Sequence, residues 1–219
     1  RKIGLGVMGF ADMLVALRIP YDSTEGVELG HKIMAFIKEE SDKASFELAK
    51  TRGPFPAYKG SRLETLGMPP IRNACRLTVA PTGTIAMIAS ASGGIEPLFA
   101  LAYRKHNILE GKNLYYVDPQ FEEAAHQEGF YSEGLMEYLS NGGSIQAREE
   151  VPKWVKEIFV TAADISPEMH VRMQAAFQEN VDAAISKTIN FPSTATSKDV
   201  YNAHTLAWNL GCKGITVYR

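Results

Sequence analysis

Apolar positions in this chain recur mostly at helical spacing, and residues that stop helices stand between the runs. Residues 6–18 read as a helix, and Asp22 and Ser23 then offer N-caps to a long helix running to Arg52. Within it Met34, Ile37, Ser41, Ala44 and Leu48 repeat at 3-4-3-4 spacing and predict one buried stripe. Gly53, Pro54 and Pro56 end it, leaving "GPFPAYKGSRLETLGMPP" as a loop with one helical turn. Residues 75–80 suit a strand, Pro81 to Thr84 a turn, and 84–90 a short apolar helix. "ALAYRKHNILEGKNLYYVD" predicts a hairpin near 100–117, its strands joined at Glu110-Gly111-Lys112.

Residues 118–142 read as two short amphipathic helices split at Gly129, followed by "GGSIQAREEVP" as a loop. Ser166-Pro167-Glu168 is a helix start with its cap and N1 proline in place, and Met169, Met173, Phe177, Val181 and Ala184 trace one face. Thr196 and Asp199 form a capping-box pattern, and Val200, Ala203, Ala207 and Leu210 give the next helix its stripe. Strand 187–191, helix 196–210 and strand 214–218 make a βαβ unit whose strands should be parallel neighbours with a right-handed crossover. The class is therefore α/β with helices outnumbering strands, and there is no internal repeat.

At 219 residues the chain suits one domain with a real core or two small ones. A net charge of -2 gives no electrostatic footprint for nucleic acid or an acidic membrane surface. The apolar runs fall short of the roughly 18 residues of a membrane span. Two cysteines, Cys75 and Cys212, make no disulfide framework and suit a reducing cytoplasm. Arg1 stands where a start Met would, so the natural start is expected upstream.

Three stretches could carry chemistry. GLGVMG (residues 4–9) matches the dinucleotide fingerprint, but only three residues precede it, and Glu28 falls within a helix rather than at a strand end. Those glycines are read as packing. "APTGTIA" is more promising. Pro81 fixes φ, Thr82 can cap the helix through its hydroxyl, and Gly83 admits a close approach. The free N–H groups of 83 to 86 would then point out of a helix N-terminus. Such a terminus binds phosphate, although with no Walker lysine this is no NTPase loop. From the residues alone, a capped start without ligand and a phosphate site both stay open. In "SASGGIEP", Gly93 and Gly94 allow an unusual path, and Glu96 could serve as an acid–base group or hold the loop. The five histidines show no metal-ligand spacing, and no metal is assigned.

"NACRLTVAPTGTIAMIASASGGIEPLFALAYRK" resembles the catalytic subunit of ribonucleotide reductases, closest to the adenosylcobalamin-dependent class. The resemblance continues through "DISPEMHVRMQAAFQENVDAAISKTINFPSTATSKDVYNAHTLAWNLGCKGITVYR" and covers "RKIGLGVMGFAD". It implies the C-terminal portion of a ten-stranded α/β barrel, with residues 1–219 a single fragment and the upstream half of the barrel as its partner. It also implies that Pro81, Thr82, Gly83, Thr84 and Ile85 receive the phosphates of a ribonucleotide substrate, and that Gly93, Gly94 and Glu96 support them. Many relatives have Ser at Ala86, so a hydroxyl contact would be missing there. The family's radical cysteine lies in an Asn-x-Cys-x-Glu pattern absent from these residues, so no catalytic residue is assigned and the fragment alone should be inactive. Where the iron-dependent class has adjacent tyrosines, this chain reads Thr216-Val217-Tyr218, which favours adenosylcobalamin as the parent's cofactor. The alternative is a non-catalytic nucleotide-binding or scaffold module derived from the same fold. Half a barrel would expose strand edges and apolar surface, so self-association is expected of the isolated piece.

Overall fold

The opening helix begins at Phe10 rather than at residue 6, because residues 6–9 run on without helical structure from a strand, β1 (Lys2–Leu5), and Gly9, with φ 77°, caps the helix start. β1 lies parallel to β2 (Cys75–Leu77) with Lys2 opposite Cys75 and Leu5 opposite Leu77. The two backbones continue so close together that a Cβ on Gly6 would overlap the Thr78 carbonyl oxygen. Helix α1 (Phe10–Ala16) follows, and the glycines of GLGVMG thus serve strand contact and the turn into a helix.

The computed structural model describes residues 1–108 and 112–219, with the backbone alone for 105–108 and 112–115. After α1 come α2 (Thr24–Arg52), α3 (Arg62–Thr65), β2 and α4 (Gly83–Ala89). Strands β3 (Ala102–Ile108) and β4 (Lys112–Val117) pair antiparallel as the hairpin predicts, while its turn residues Glu110 and Gly111 lie outside the described residues. Helices α5 (Pro119–Gln127) and α6 (Glu133–Ser140) flank Gly129, whose φ is 75°. Helix α7 (Lys153–Ile158) was not expected from the sequence. The chain closes with α8 (Pro167–Gln178), β5 (Thr188–Asn190), α9 (Ser197–Asn209) and β6 (Thr216–Tyr218). β5 and β6 are parallel in register, Thr188 opposite Thr216, which is the predicted βαβ unit. Among the described residues the named strands form three separate two-stranded pairs in a helix-rich α/β arrangement, not a closed sheet.

The caps follow local chemistry. Ser166 accepts a hydrogen bond from the Met169 amide, and Thr196 and Asp199 complete a capping box. The stripe of α2 departs from its apolar spacing in the second half. Met34 is buried, but Ala44 and Leu48 are exposed, and Ser45 and Ala49 take the inward positions. Ser45 can be there because its hydroxyl donates to Asn73 Oδ1 at 2.8 Å and accepts from the Asn73 amide at 3.0 Å. Likewise α8 ends before Val181, and Ala184 is exposed.

One large core joins α1, α2, β2, α5, α6, α7 and α8 through residues such as Phe10, Met34, Leu77, Phe121, Leu135, Val155 and Phe177. A smaller cluster of Val171, Ile189, Phe191, Ala203 and Ala207 seats α9 and β5 on α8. All residues of β1 and β6 are exposed, Ile3, Leu5 and Val217 among them.

Candidate functional site: an anion turn and its buried support

The turn between β2 and α4 is shaped by a residue in an unfavourable conformation. Thr82 has φ 52° and ψ 23°, the left-handed region, where a β-branched side chain costs about 1–3 kcal/mol. Its carbonyl accepts the first helical bond, from the Ala86 amide at 2.8 Å. The amides of Gly83, Thr84 and Ile85 meet no protein acceptor among the described residues, and all three residues are exposed. A left-handed residue followed by helical ones aims successive N–H groups into one concavity, and the helix dipole adds to their positive end. Three amides are open rather than the four expected, because that of Ala86 is used within the helix. Ala86 itself is buried.

Thr82 does not cap the helix through its hydroxyl, as the sequence suggests. Oγ1 instead accepts a hydrogen bond at 2.7 Å from the amide of Gly94, in the loop after α4. That loop is held along its length. Ser92 accepts from the Gly9 amide at 2.8 Å and donates its own amide to Asp12 Oδ2 at 2.6 Å, tying it to the start of α1. Gly94 turns with φ 49°, and a Cβ there would sit 2.8 Å from the Ala80 carbonyl oxygen, so only glycine lets the loop lie against the turn. Gly93 is nearly as tight, 3.0 Å from the Pro81 oxygen by the same measure.

Glu96 anchors the far end. Its Oε1 accepts from the Thr188 amide at 2.7 Å and its Oε2 from Lys187 Nζ at 2.8 Å. The Lys187 side chain is fully buried and its ammonium has two more acceptors, His170 Nδ1 at 2.9 Å and the Thr188 carbonyl at 3.3 Å. His170 Nε2 lies 3.2 Å from the Ala162 carbonyl, so this nitrogen carries the proton and Nδ1 offers its lone pair to the lysine. Tyr21 closes the pocket, its hydroxyl donating to the Ile95 carbonyl at 2.6 Å and its ring 5.8 Å from Nζ. Burial lowers the pKa of Lys187, opposed by the Glu96 charge. Burial, and then the Glu96 charge, raise that of Tyr21.

Sequence reasoning placed Pro81 to Ile85, Gly93, Gly94 and Glu96 near one another, and the structure brings them together. It missed Lys187, His170 and Tyr21. Lys187 opens the strand-like "KTINF", and nothing local separates it from an exposed lysine.

His170 makes this support sensitive to acid. Burial first, then the Lys187 charge, pulls its pKa down to about 3. An unfolded histidine takes a proton near pH 6.5, so below that the unfolded chain binds more protons than the folded one. Stability should therefore fall as pH drops from about 6.5 towards 3, by up to about 1.4 kcal/mol per unit, with no contribution from this group above that window. In urea unfolding between about pH 7 and 4, the wild-type chain should lose stability more steeply than His170→Gln. Parallel slopes would refute the neutral buried assignment.

The described residues hold no cluster of three or more His, Cys, Asp or Glu placed for a metal ion, and no helix among them is long and apolar enough to cross a membrane. Cys75 and Cys212 are free and half-buried, and burial pushes the Cys212 thiol up.

The family model of the ribonucleotide reductase barrel domain matches residues 1–69 and 64–218. The chain is 52% identical over its whole length to the vitamin B12-dependent ribonucleoside-diphosphate reductase of Thermoplasma acidophilum and 47% identical to that of Mycobacterium tuberculosis. It spans 28% and 31% of the length of those two relatives. The class Id ribonucleotide reductase alpha subunit of Actinobacillus ureae superposes with a TM-score of 0.84 at 28% identity, covering all of this chain and 39% of that one. With the family model and the whole-length identities in agreement, the chain belongs to the ribonucleotide reductase barrel domain family.

Proposed function

We propose that this chain supplies the substrate phosphate-binding turn of a cobalamin-dependent ribonucleoside-diphosphate reductase, acting as one unit over residues 1–219. Pro81, Thr82, Gly83, Thr84 and Ile85 form the cradle, and the amides of Gly83, Thr84 and Ile85 donate to the diphosphate. Gly93, Gly94 and Glu96 hold the turn from behind. The parent enzyme would replace the ribose 2′-hydroxyl by hydrogen at a radical cysteine borne by other parts of the protein. The names of the relatives support the diphosphate as substrate and cobalamin as cofactor.

Cobalamin, when bound, supplies the radical that starts the reaction. This chain's surface has a groove of about 470 Å³ between α2 and α8 and another of about 500 Å³ beside the end of α9. Both are sized for a drug-like ligand rather than a corrin, and no residue of this chain is assigned to the cofactor. The rest of the barrel is the partner that would cover Ile3 and Leu5 on β1 and Val217 on β6, apolar residues now in the open. Two unpaired thiols suit a cytoplasmic setting.

The observation that carries the reading is Gly83. It is helical, its φ is not positive, and a Cβ there would meet nothing within 4 Å. Neither strain nor packing asks for glycine, while a ligand drawn up to the main chain does. Gly83→Ala in the full-length protein is the test. Equilibrium affinity for a ribonucleoside diphosphate should fall about tenfold, the scale of one charge-assisted hydrogen bond. Affinity for the matching nucleoside should hold, and folding stability should stay level or rise by up to about 1 kcal/mol, since alanine favours a helix. Unchanged diphosphate affinity would overturn the assignment.

A further inference from the structure

A lysine with no exposed side-chain surface is costly to bury, and an apolar residue of similar size would fill the same space at least as well. Its charge is therefore explained better by what it holds than by stability. Lys187 Nζ holds Glu96 Oε2, and the neighbouring Thr188 amide holds Oε1, so both carboxylate oxygens are committed to one short segment before and within β5. That fixes the end of the loop whose other end is tied at Ser92 to Gly9 and Asp12. Between these anchors the loop presents a single amide, that of Gly94, to Thr82 Oγ1. Thr82 is the left-handed residue that aims the open amides, and a β-branched residue keeps such a conformation only where its surroundings enforce it.

We propose that Lys187 is a positioning residue for the anion turn, acting through Glu96 and the Gly94–Thr82 hydrogen bond to hold the amides of Gly83, Thr84 and Ile85 on the phosphate. The inference rests on the reading of those amides as the phosphate site. It assigns a binding role to a side chain that never touches the ligand and stands 91 positions along the chain from its carboxylate partner.

The experiment uses the full-length reductase with Lys187→Met, Glu96→Asp and Thr82→Gly, and with Lys187→Met and Thr82→Gly combined. Affinity for a ribonucleoside diphosphate and its nucleoside is measured at equilibrium, alongside KM, kcat and thermal midpoint. Lys187→Met should weaken diphosphate binding and raise KM about tenfold, with nucleoside affinity and kcat changed less than about twofold, the pattern of lost uniform binding. Glu96→Asp keeps the counter-charge for the lysine, so the fold is retained, but its shorter reach draws the loop back and should weaken diphosphate binding similarly. Glycine adopts the left-handed region without a tether, so with Thr82→Gly already present the effect of Lys187→Met on affinity should shrink below about twofold. Its lowering of the thermal midpoint should persist, because that part is structural.

Equal affinity losses from Lys187→Met with and without Thr82→Gly would overturn the relay. So would a Glu96→Asp protein that binds diphosphate like wild type, and this arm decides the matter should Lys187→Met not fold. Gly83→Ala separates the two readings. If it leaves diphosphate affinity intact, the phosphate site falls and the relay with it; if it weakens binding while Lys187→Met and Glu96→Asp do not, only the role of the lysine falls.

Discussion

Phe177→Ala is expected to lower the unfolding free energy by about 3–5 kcal/mol, towards the upper end of what such truncations cost. Phe177 has no exposed surface and stands where three helices meet. Its ring lies edge-on to Phe10 of α1 at 5.0 Å between centroids. On the α2 side its neighbour is Gly30, where a Cβ would sit 2.5 Å from the Phe177 ring. Glycine has no side chain with which to collapse into the space, so most of the cavity would persist. The same geometry predicts a reversal. Gly30→Ala should destabilise the wild-type protein by overpacking but recover part of the loss when combined with Phe177→Ala. Urea unfolding of the four proteins tests this, and additive effects would show that the two residues do not share the space.

Arg76→Leu should cost about 3 kcal/mol, the lower end for breaking a buried ion pair. Arg76 is 3% exposed and joins three parts of the chain. Its Nε lies 2.6 Å from Asp42 Oδ1 of α2, an ion contact off the line of a hydrogen bond, and a terminal nitrogen lies 3.5 Å from Asp182 Oδ1, beyond α8. Asp182 Oδ2 also accepts from the amides of Arg76 and Leu77, at 2.7 and 3.1 Å, fastening β2 in place. Leucine would leave two carboxylates without their guanidinium. Asp42 keeps Lys38 at 3.1 Å and Asp182 is 26% exposed, which is why the lower figure is expected. Arg76→Leu with Asp42→Leu should recover part of the loss, because the desolvated charge goes with its partner. A single variant that loses less than about 1 kcal/mol would show that the pair is solvated in practice.

What could be read from the sequence was what depends on neighbours in the chain. The Ser166 and Thr196 caps, the breaks at Gly53 and Gly129 and the closing βαβ unit are all set within a few residues, and all were legible. The turn at 81–85 was legible for the same reason, since proline, threonine and glycine bias the backbone where they stand. Partners far along the chain were not. Ser45 is buried because Asn73 meets its hydroxyl, so the apolar spacing of α2 pointed to Ala44 and Leu48 instead. The Thr82 hydroxyl bonds an amide 12 residues away rather than its own helix, and local capping logic cannot see that. β1 was too short to register before its glycines. Lys187 and His170 became visible only when the fold set them beside Glu96.

The cradle at Gly83, Thr84 and Ile85 carries no formal charge of its own, since no lysine or arginine stands between Pro81 and Ile85. A grip made of main-chain dipoles is directional yet modest, and a diphosphate held that way, as proposed, would leave this turn without breaking an ion pair. If the proposed reading holds and the parent's product differs from its substrate by one oxygen far from the phosphates, such a hold would favour release after each turnover over retention of the spent nucleotide.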